Sequence, residues 1–291
     1  DTALTIDGTA LDINSVNLAN GEKLTVTSSD TNTAMTVHGG SSHDEITLNA
    51  AADHVEGGGG NDSIYAGGGA DSIYGGAGVD SIKGEAGSDY IEAGAGNDII
   101  EVDDLSDFQT SGGVETVKGG AGTDTLKFTE DIQTDLTAPE VEHLYGIEAI
   151  SFARTSNNST SLTLGNATFT NLGADSITIT GNNTDNTGAT NKIDASAVTN
   201  GSIVVIPSAR EDVPDSLYGG SGDDIFRFTG IIGLEEDMDV VDGNGGSDTI
   251  QLDASSAAMR AEFNFDNITD VEKVEVYVAA TSATDGGDVT V

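Results

Sequence analysis

Aspartates recur every nine residues at Asp44, Asp53, Asp62, Asp71, Asp80, Asp89 and Asp98, and two positions after each stands an aliphatic: Ile46, Val55, Ile64, Ile73, Ile82, Ile91 and Ile100. Glycines fill the positions ahead of the acids, most fully in Gly57-Gly58-Gly59-Gly60-Asn61-Asp62 and Gly75-Gly76-Ala77-Gly78-Val79-Asp80. A carboxylate beside a run of bare backbone suits cation binding, because glycine permits positive φ and lets its carbonyl turn toward an ion. Such donors are all oxygens, a set that favours a hard cation such as Ca2+ over zinc or copper.

Charge points the same way. The chain of 291 residues sets 50 Asp and Glu against 10 Lys and Arg, a formal net charge of −40, which opposes any compact state by self-repulsion. A polyanion repels nucleic acid and anionic lipid, so neither is expected as a partner, and metal ions are the economical source of counter-charge. The absence of cysteine excludes disulfides, so another cross-link must hold the fold. No stretch approaches the ~20 apolar residues of a membrane span, and Asp1 does not begin a charged-then-apolar leader; no transmembrane segment is expected.

Other chemistries fit poorly. No Lys-Ser/Thr follows the glycine runs as a phosphate loop requires. His38, His43, His54 and His143 lack an H-E-x-x-H arrangement, and no serine stands in G-x-S-x-G. Carboxylate pairs near the loops are better explained by calcium than by glycosidase chemistry. The chain is expected not to be an enzyme. For each aspartate the competing reading is a turn residue capping its own backbone; the glycine frame favours the ligand reading for Asp62, Asp71, Asp80, Asp89 and Asp98, less so for Asp124, Asp224 and Asp248, and leaves Asp44 and Asp53 balanced.

The pattern resembles the repeats-in-toxin (RTX) calcium-binding nonapeptide G-G-x-G-x-D-x-U-x, where U is a large aliphatic. The likeness is clearest over 57–101, degenerate over 39–56, and recurs as Gly119-Gly120-Ala121-Gly122-Thr123-Asp124, Gly219-Gly220-Ser221-Gly222-Asp223-Asp224 and Gly243-Asn244-Gly245-Gly246-Ser247-Asp248. It implies metal ligation by the ten aspartates Asp44, Asp53, Asp62, Asp71, Asp80, Asp89, Asp98, Asp124, Asp224 and Asp248. It implies the same for the loop glycines Gly57, Gly58, Gly60, Gly67, Gly69, Gly75, Gly76, Gly78, Gly84, Gly87, Gly94, Gly96, Gly119, Gly120, Gly122, Gly219, Gly220 and Gly222. Ala66, Glu85 and Ala93 depart from the glycine pattern and put ion affinity at their loops in doubt.

The elements that must position these residues follow. The short x-U-x segment makes a strand with its aliphatic pointing inward. The resemblance implies two nonapeptides per turn of a right-handed parallel β-roll, which stacks Asp62, Asp80 and Asp98 on one edge and Asp53, Asp71 and Asp89 on the other. Neighbouring strands lie ~4.8 Å apart, and two calcium–oxygen bonds of ~2.4 Å span that gap. Low calcium then leaves the roll unfolded. In the RTX family this implies passage through a type I secretion channel and folding outside the cell.

A longer repeat is also present. Val114–Leu126 aligns with Met238–Ile250 at an offset of 124, and the same offset sets Gly146-Ile147-Glu148-Ala149-Ile150 on Asp270-Val271-Glu272-Lys273-Val274. The expected organisation is all-β: a leading stretch over 1–38, the calcium-binding roll over 39–101, a short calcium-loop pair with linking strands over 102–152, a Thr/Asn-rich β module over 153–206, a second short calcium-loop segment over 207–252, and a linking segment over 253–291. Period-two alternation in Ser161-Leu162-Thr163-Leu164 and Ser176-Ile177-Thr178-Ile179-Thr180 reads as half-buried strand. Helical periodicity is confined to Ala254–Ala261.

Two functions from different classes follow: an extracellular structural protein that folds and self-associates on calcium, as part of a surface layer, filament or adhesin, or the calcium-binding accessory region of a type I-secreted hydrolase or toxin. The repeat identifies fold and ion more firmly than biological role.

Overall fold

A computed structural model describes residues 2–6, 12–14, 23–28, 33–102, 116–129, 133–136, 143–152, 160–181, 191–206, 215–229, 240–253 and 267–277. The backbone in the repeat region alternates between two faces. Ser63–Tyr65 lies on the first face, Ser72–Ala77 on the second, and Ser81–Lys83 returns to the first. There Ser81 pairs in parallel with Ser63 and Ile82 with Ile64, eighteen residues earlier, two nonapeptides to a coil. The inference of a parallel roll is met.

The first face is a 13-stranded parallel sheet that runs from Thr2–Ile6 to Lys273–Tyr277. A 7-stranded sheet forms the second face up to Leu144–Tyr145, and a 6-stranded sheet takes over from Gln133–Leu136 to Ile268–Thr269. The segments read from the sequence as separate β-rich modules are hydrogen-bonded into this one ladder. Ile99–Val102 pairs with Thr125–Phe128, Ala149–Phe152 with Ser176–Thr180, Ser202–Ile206 with Ile225–Thr229, and Thr249–Asp253 with Lys273–Tyr277. A parallel ladder requires only that each coil deliver one strand in phase, so coils of unequal length stack equally well. The calcium-loop repeat is thus one part of a single stack.

Side chains alternate in and out along every strand, and the inward ones form columns between the sheets. Ile46, Ile64, Ile82, Ile100 and Leu126 stand in register on the first face, each fully buried, opposite Val37, Val55, Ile73, Ile91 and Val117 on the second. Beyond Val102 more residues separate successive strands of the first face, and larger side chains enter its column. Phe128 and Phe152 stack with ring centroids 5.5 Å apart, and Leu162, Ile193, Leu217 and Val241 form the facing column.

One helix, Asn166–Leu172, was not legible in the sequence pattern. Gly165 opens it in extended backbone, and Gly173 closes it in the left-handed conformation (φ 74°) with its N–H donating to the Phe169 carbonyl. Phe169 and Leu172, three apart, turn into the core, and Phe169 lies over Gly201, where any Cβ would collide with its ring. Ala254–Ala261 lies outside the described residues.

Candidate metal centre

Each loop is a tight turn made by its glycines. Gly58, Gly60, Gly76, Gly78, Gly94, Gly96, Gly120 and Gly122 all hold φ between 104° and 150°, a region L side chains rarely adopt. Closeness to the next coil is a second constraint: a Cβ on Gly76 or Gly94 would run into the carbonyl of the glycine one coil below. Gly67, Gly69 and Gly87 share the positive φ. Glu85 takes a left-handed φ of 67° without being glycine, and Ala66 and Ala93 are fully buried, so these three departures leave the turn intact.

The turns bring the aspartates into two ladders. The amide of Asp44 donates to Asp62 Oδ1 (2.7 Å), that of Asp62 to Asp80 (2.7 Å), that of Asp80 to Asp98 (2.8 Å) and that of Asp98 to Asp124 (2.9 Å). On the opposite edge Asp53 donates to Asp71 (2.6 Å) and Asp71 to Asp89 (2.9 Å). This is the stacking that the nonapeptide resemblance implies. Asp44 and Asp53, despite poor glycine frames, stand in the ladders, receiving the amides of Leu24 and Met35. At the degenerate loop Asn49 supplies the turn instead, accepting from the Ala51 amide and donating to the Thr33 carbonyl.

Only one oxygen of each carboxylate is used by the chain. Oδ2 of Asp44, Asp53, Asp62, Asp71, Asp80, Asp89, Asp98, Asp124 and Asp248 is buried with no hydrogen-bond partner. The stray oxygens of Asp44, Asp62, Asp80, Asp89, Asp124 and Asp248 face bare glycine, whereas Leu48, Ala66 and Ala93 stand at the equivalent positions before Asp53, Asp71 and Asp98. A Cβ on Gly57 would lie 2.6 Å from both Asp62 Oδ2 and the Gly75 carbonyl oxygen, and one on Gly75 would lie 2.6 Å from Asp80 Oδ2. Gly84 stands the same way to Asp89 and Gly119 to Asp124. A carboxylate oxygen and a main-chain carbonyl oxygen of the next coil therefore converge on a space that a side chain is kept out of.

Burial pushes the carboxyls of Asp62 and Asp71 up to about 7, against the amide bond each accepts, and the carboxylates above and below add to the shift. Asp124 and Asp248 rise to about 6 for the same reasons, with Glu148 and Glu272 among the charges that contribute. Burial likewise raises Asp44, Asp53, Asp80, Asp89 and Asp98. A buried, half-satisfied carboxylate is costly unless paired with a cation. The donor set fits Ca2+: oxygens only, charged and neutral mixed, on backbone that adapts in coordination number. Bound there, the ion supplies positive charge between successive coils.

Asp224 differs from the rest. Its Oδ1 accepts from Ile203 (2.7 Å) and its Oδ2 from the Gly220 amide (2.7 Å), so the chain satisfies both oxygens. The coil below it has no Gly-x-Gly turn but the irregular segment 195–201, and among 219–222 no glycine takes a positive φ. The turn-capping reading fits Asp224 better than it fits any other member of the set. Its sequence frame, Gly219-Gly220-Ser221-Gly222, gave no sign of this.

Sequence reasoning also passed over Asn61, Asn97 and Asp223, one position ahead of the ladder acids. Their side chains accept the amides of Val79, Thr123 and Ser247 in the next coil. On the outer face His38, His54, Tyr74 and Tyr90 stack at centroid spacings of 5.6 to 6.1 Å, with Lys118 over Tyr90. Tyr65 and Tyr218 also point outward. His38 and His54 both contact Glu56, and among the described residues no group of three or more His, Cys, Asp or Glu is arranged to hold a metal through side chains alone. Backbone carbonyls are therefore needed.

Among the described residues no helix is long and apolar enough to cross a membrane. Comparison with curated proteins and with solved structures gives no match. Comparison with family models matches the RTX calcium-binding nonapeptide repeat at residues 36–64, 47–82, 65–100, 74–108, 109–127, 214–228 and 236–255. These segments contain every aspartate of the two ladders, and also Asp224 and Asp248, where the Asp224 amide donates to Asp248 Oδ1 (2.7 Å). Repeats of this kind bind Ca2+ at multiple loops and form calcium-binding structural domains, typically of secreted proteins. Over these segments, fewer than half of its residues, the chain carries RTX calcium-binding nonapeptide repeats.

Proposed function

We propose that the chain is an extracellular structural module, without catalytic activity, that folds when Ca2+ fills the spaces between its coils and then assembles with further copies at a bacterial surface. The observation that carries this is the set of buried Oδ2 atoms without partners, from Asp44 to Asp248. Their ligands are the carboxylates of Asp44, Asp53, Asp62, Asp71, Asp80, Asp89, Asp98, Asp124 and Asp248, with carbonyls of the loop glycines. A ligand bound only by the folded state stabilises it by ~2.7 kcal/mol per site at 100 times its dissociation constant. Several such sites in one ladder make a cooperative switch.

Assembly is supported by the ladder itself. The terminal strands of the 13-stranded sheet, Thr2–Ile6 and Lys273–Tyr277, each have one hydrogen-bonded neighbour among the described strands, and an open parallel edge is a template for another chain. Electron microscopy of the protein with millimolar Ca2+ and with chelator tests this. Calcium-dependent lattices or filaments are expected; particles that stay monomeric in calcium favour the accessory region of a secreted hydrolase or toxin.

A further inference from the structure

The ladder through Asp124 and the Asp224–Asp248 pair each pass from aspartate to glutamate in the same way. Asp124 donates its amide to Glu148 Oε2 (2.8 Å) and Asp248 donates to Glu272 Oε2 (2.7 Å), where the preceding rungs use aspartate. The amides of Glu148 and Ala149 converge on the Asp124 carbonyl at 3.1 and 3.0 Å, and those of Glu272 and Lys273 converge on the Asp248 carbonyl, both at 3.1 Å. Two residues before each glutamate, Gly146 and the non-glycine Asp270 take left-handed backbone, φ 60° and 48°. Two stretches 124 residues apart have thus built the same geometry, one of them with an aspartate held where glycine is the easy choice.

That backbone aims a carbonyl. A Cβ on Gly119 would collide with the Gly146 carbonyl oxygen and lie 2.6 Å from Asp124 Oδ2, and a Cβ on Gly243 would collide with both the Asp270 carbonyl oxygen and Asp248 Oδ2. Asp124 and Asp248 are 0% exposed, and the Oδ2 of each has no hydrogen-bond partner. Past Glu148 no acid rung follows among the described residues: the next amide bond, Thr178 N–H to the Glu148 carbonyl, is plain backbone. The space after each of these aspartates is therefore bounded by an aspartate oxygen, a carbonyl from a left-handed residue and a glutamate on the following coil.

We infer that Glu148 and Glu272 close the two arrays with a cation site of distinct composition, in which Asp124, the Gly146 carbonyl and Glu148, and likewise Asp248, the Asp270 carbonyl and Glu272, each hold one Ca2+. This rests on the calcium reading of the loops and extends it to four residues outside the nonapeptide pattern, Gly146, Glu148, Asp270 and Glu272. Glu148 is half-buried and Glu272 exposed, against aspartates that are buried throughout the ladders. The closing ions consequently exchange with solvent before the inner ones and act as the latch of each array.

Calcium titration of the full chain by isothermal calorimetry, with Glu148→Gln, Glu272→Gln and the double variant, tests the assignment. Gln keeps an oxygen for the aspartate amide while removing the charge. Each single variant is expected to lose one ion or to bind it ~tenfold more weakly, the double variant two; Glu92→Gln, on the outer face, changes nothing. Wild-type stoichiometry and affinity in the double variant overturn the inference. Anomalous scattering from wild-type crystals grown in calcium gives an answer that needs no variant to fold. Peaks beside Asp62 and Asp80 but none beside Asp124 or Asp248 sink this inference alone, whereas no peak at any ladder aspartate sinks the calcium reading beneath it.

Discussion

The amide of Asp62 donates to Asp80 Oδ1 at 2.7 Å while Asp80 Oδ2, buried, receives nothing from the chain. One oxygen fixes the stacking of successive coils, and the other creates an unmet demand for positive charge. Structure and ion dependence thus reside in a single side chain. Asp80→Asn keeps an acceptor for the Asp62 amide and should fold at a higher calcium midpoint. Asp80→Ala leaves that amide unpaired as well and should cost a further ~1–3 kcal/mol. Far-UV circular dichroism during calcium titration separates the two.

Acid should substitute in part for calcium. The carboxyls of Asp62 and Asp71 stand at about 7 in the fold, against an ordinary 3.8, so protons bind the folded chain more tightly than the unfolded one. Without calcium, that contribution to stability is fully present below pH ~4 and is lost as pH rises through ~7. β content in excess EGTA is therefore expected to increase as pH is lowered from 8 toward 4, and calcium affinity to fall over the same range. Dichroism in EGTA that does not change with pH contradicts this.

The glycines divide sharply. Gly76 has φ +114° and a Cβ there would strike the Gly58 carbonyl, whereas the nearest atom to a Cβ on Gly59 is 3.8 Å away. Gly76→Ala should abolish calcium-induced folding of the central coils; Gly59→Ala should leave it unchanged. Hydrogen exchange of the Ile73 and Ile91 amides reports both.

Asp224 and Asp248 lie in equivalent loops and should respond differently. Asp224→Asn keeps an acceptor for one of the Ile203 and Gly220 amides and sets an NH2 donor against the other, which costs stability, but it removes no orphaned oxygen, and the number of bound ions should stay the same. Asp248→Asn removes charge from a space that holds an unpartnered Oδ2, and one ion should be lost. Equilibrium dialysis with radioactive calcium counts them.

Core columns carry the stability that remains once calcium is bound. Ile82, fully buried between Ile64 and Ile100, should cost about 2–5 kcal/mol as alanine. Val79, 47% exposed on a loop in the same coil, should cost about 0.5 kcal/mol or less. Urea unfolding in saturating calcium measures both.

The nine-residue spacing of Asp and aliphatic marked the strands, the inward side chains and the ion, and the coil of two nonapeptides with its two edges came from the RTX resemblance that this spacing carries. Asp62 over Asp80 over Asp98 followed from that resemblance, and the structure shows it. What the spacing did not carry was how far the stack extends. Coils differ in length beyond Val102, with hydrogen-bonded rungs 26 and 24 residues apart, and irregular periods leave no repeat to read even though the strands remain in phase. The helix Asn166–Leu172 escaped for a related reason: seven residues with Thr and Asn among them show too little periodicity, and packing of Phe169 on Gly201 holds them in place.

Sequence alone therefore settled which residues carry the charge and which face inward, since both follow from local spacing. Only the tertiary structure decided which oxygens are left over. Asp224 and Asp248 look the same in their loops, yet the coil beneath Asp224 lets the Gly220 amide reach its second oxygen, while Asp248 meets Glu272 and keeps one oxygen unpaired. Hydrogen bonding between coils depends on residues some 24 positions away, and that is a property of stacking, which no nine-residue motif contains.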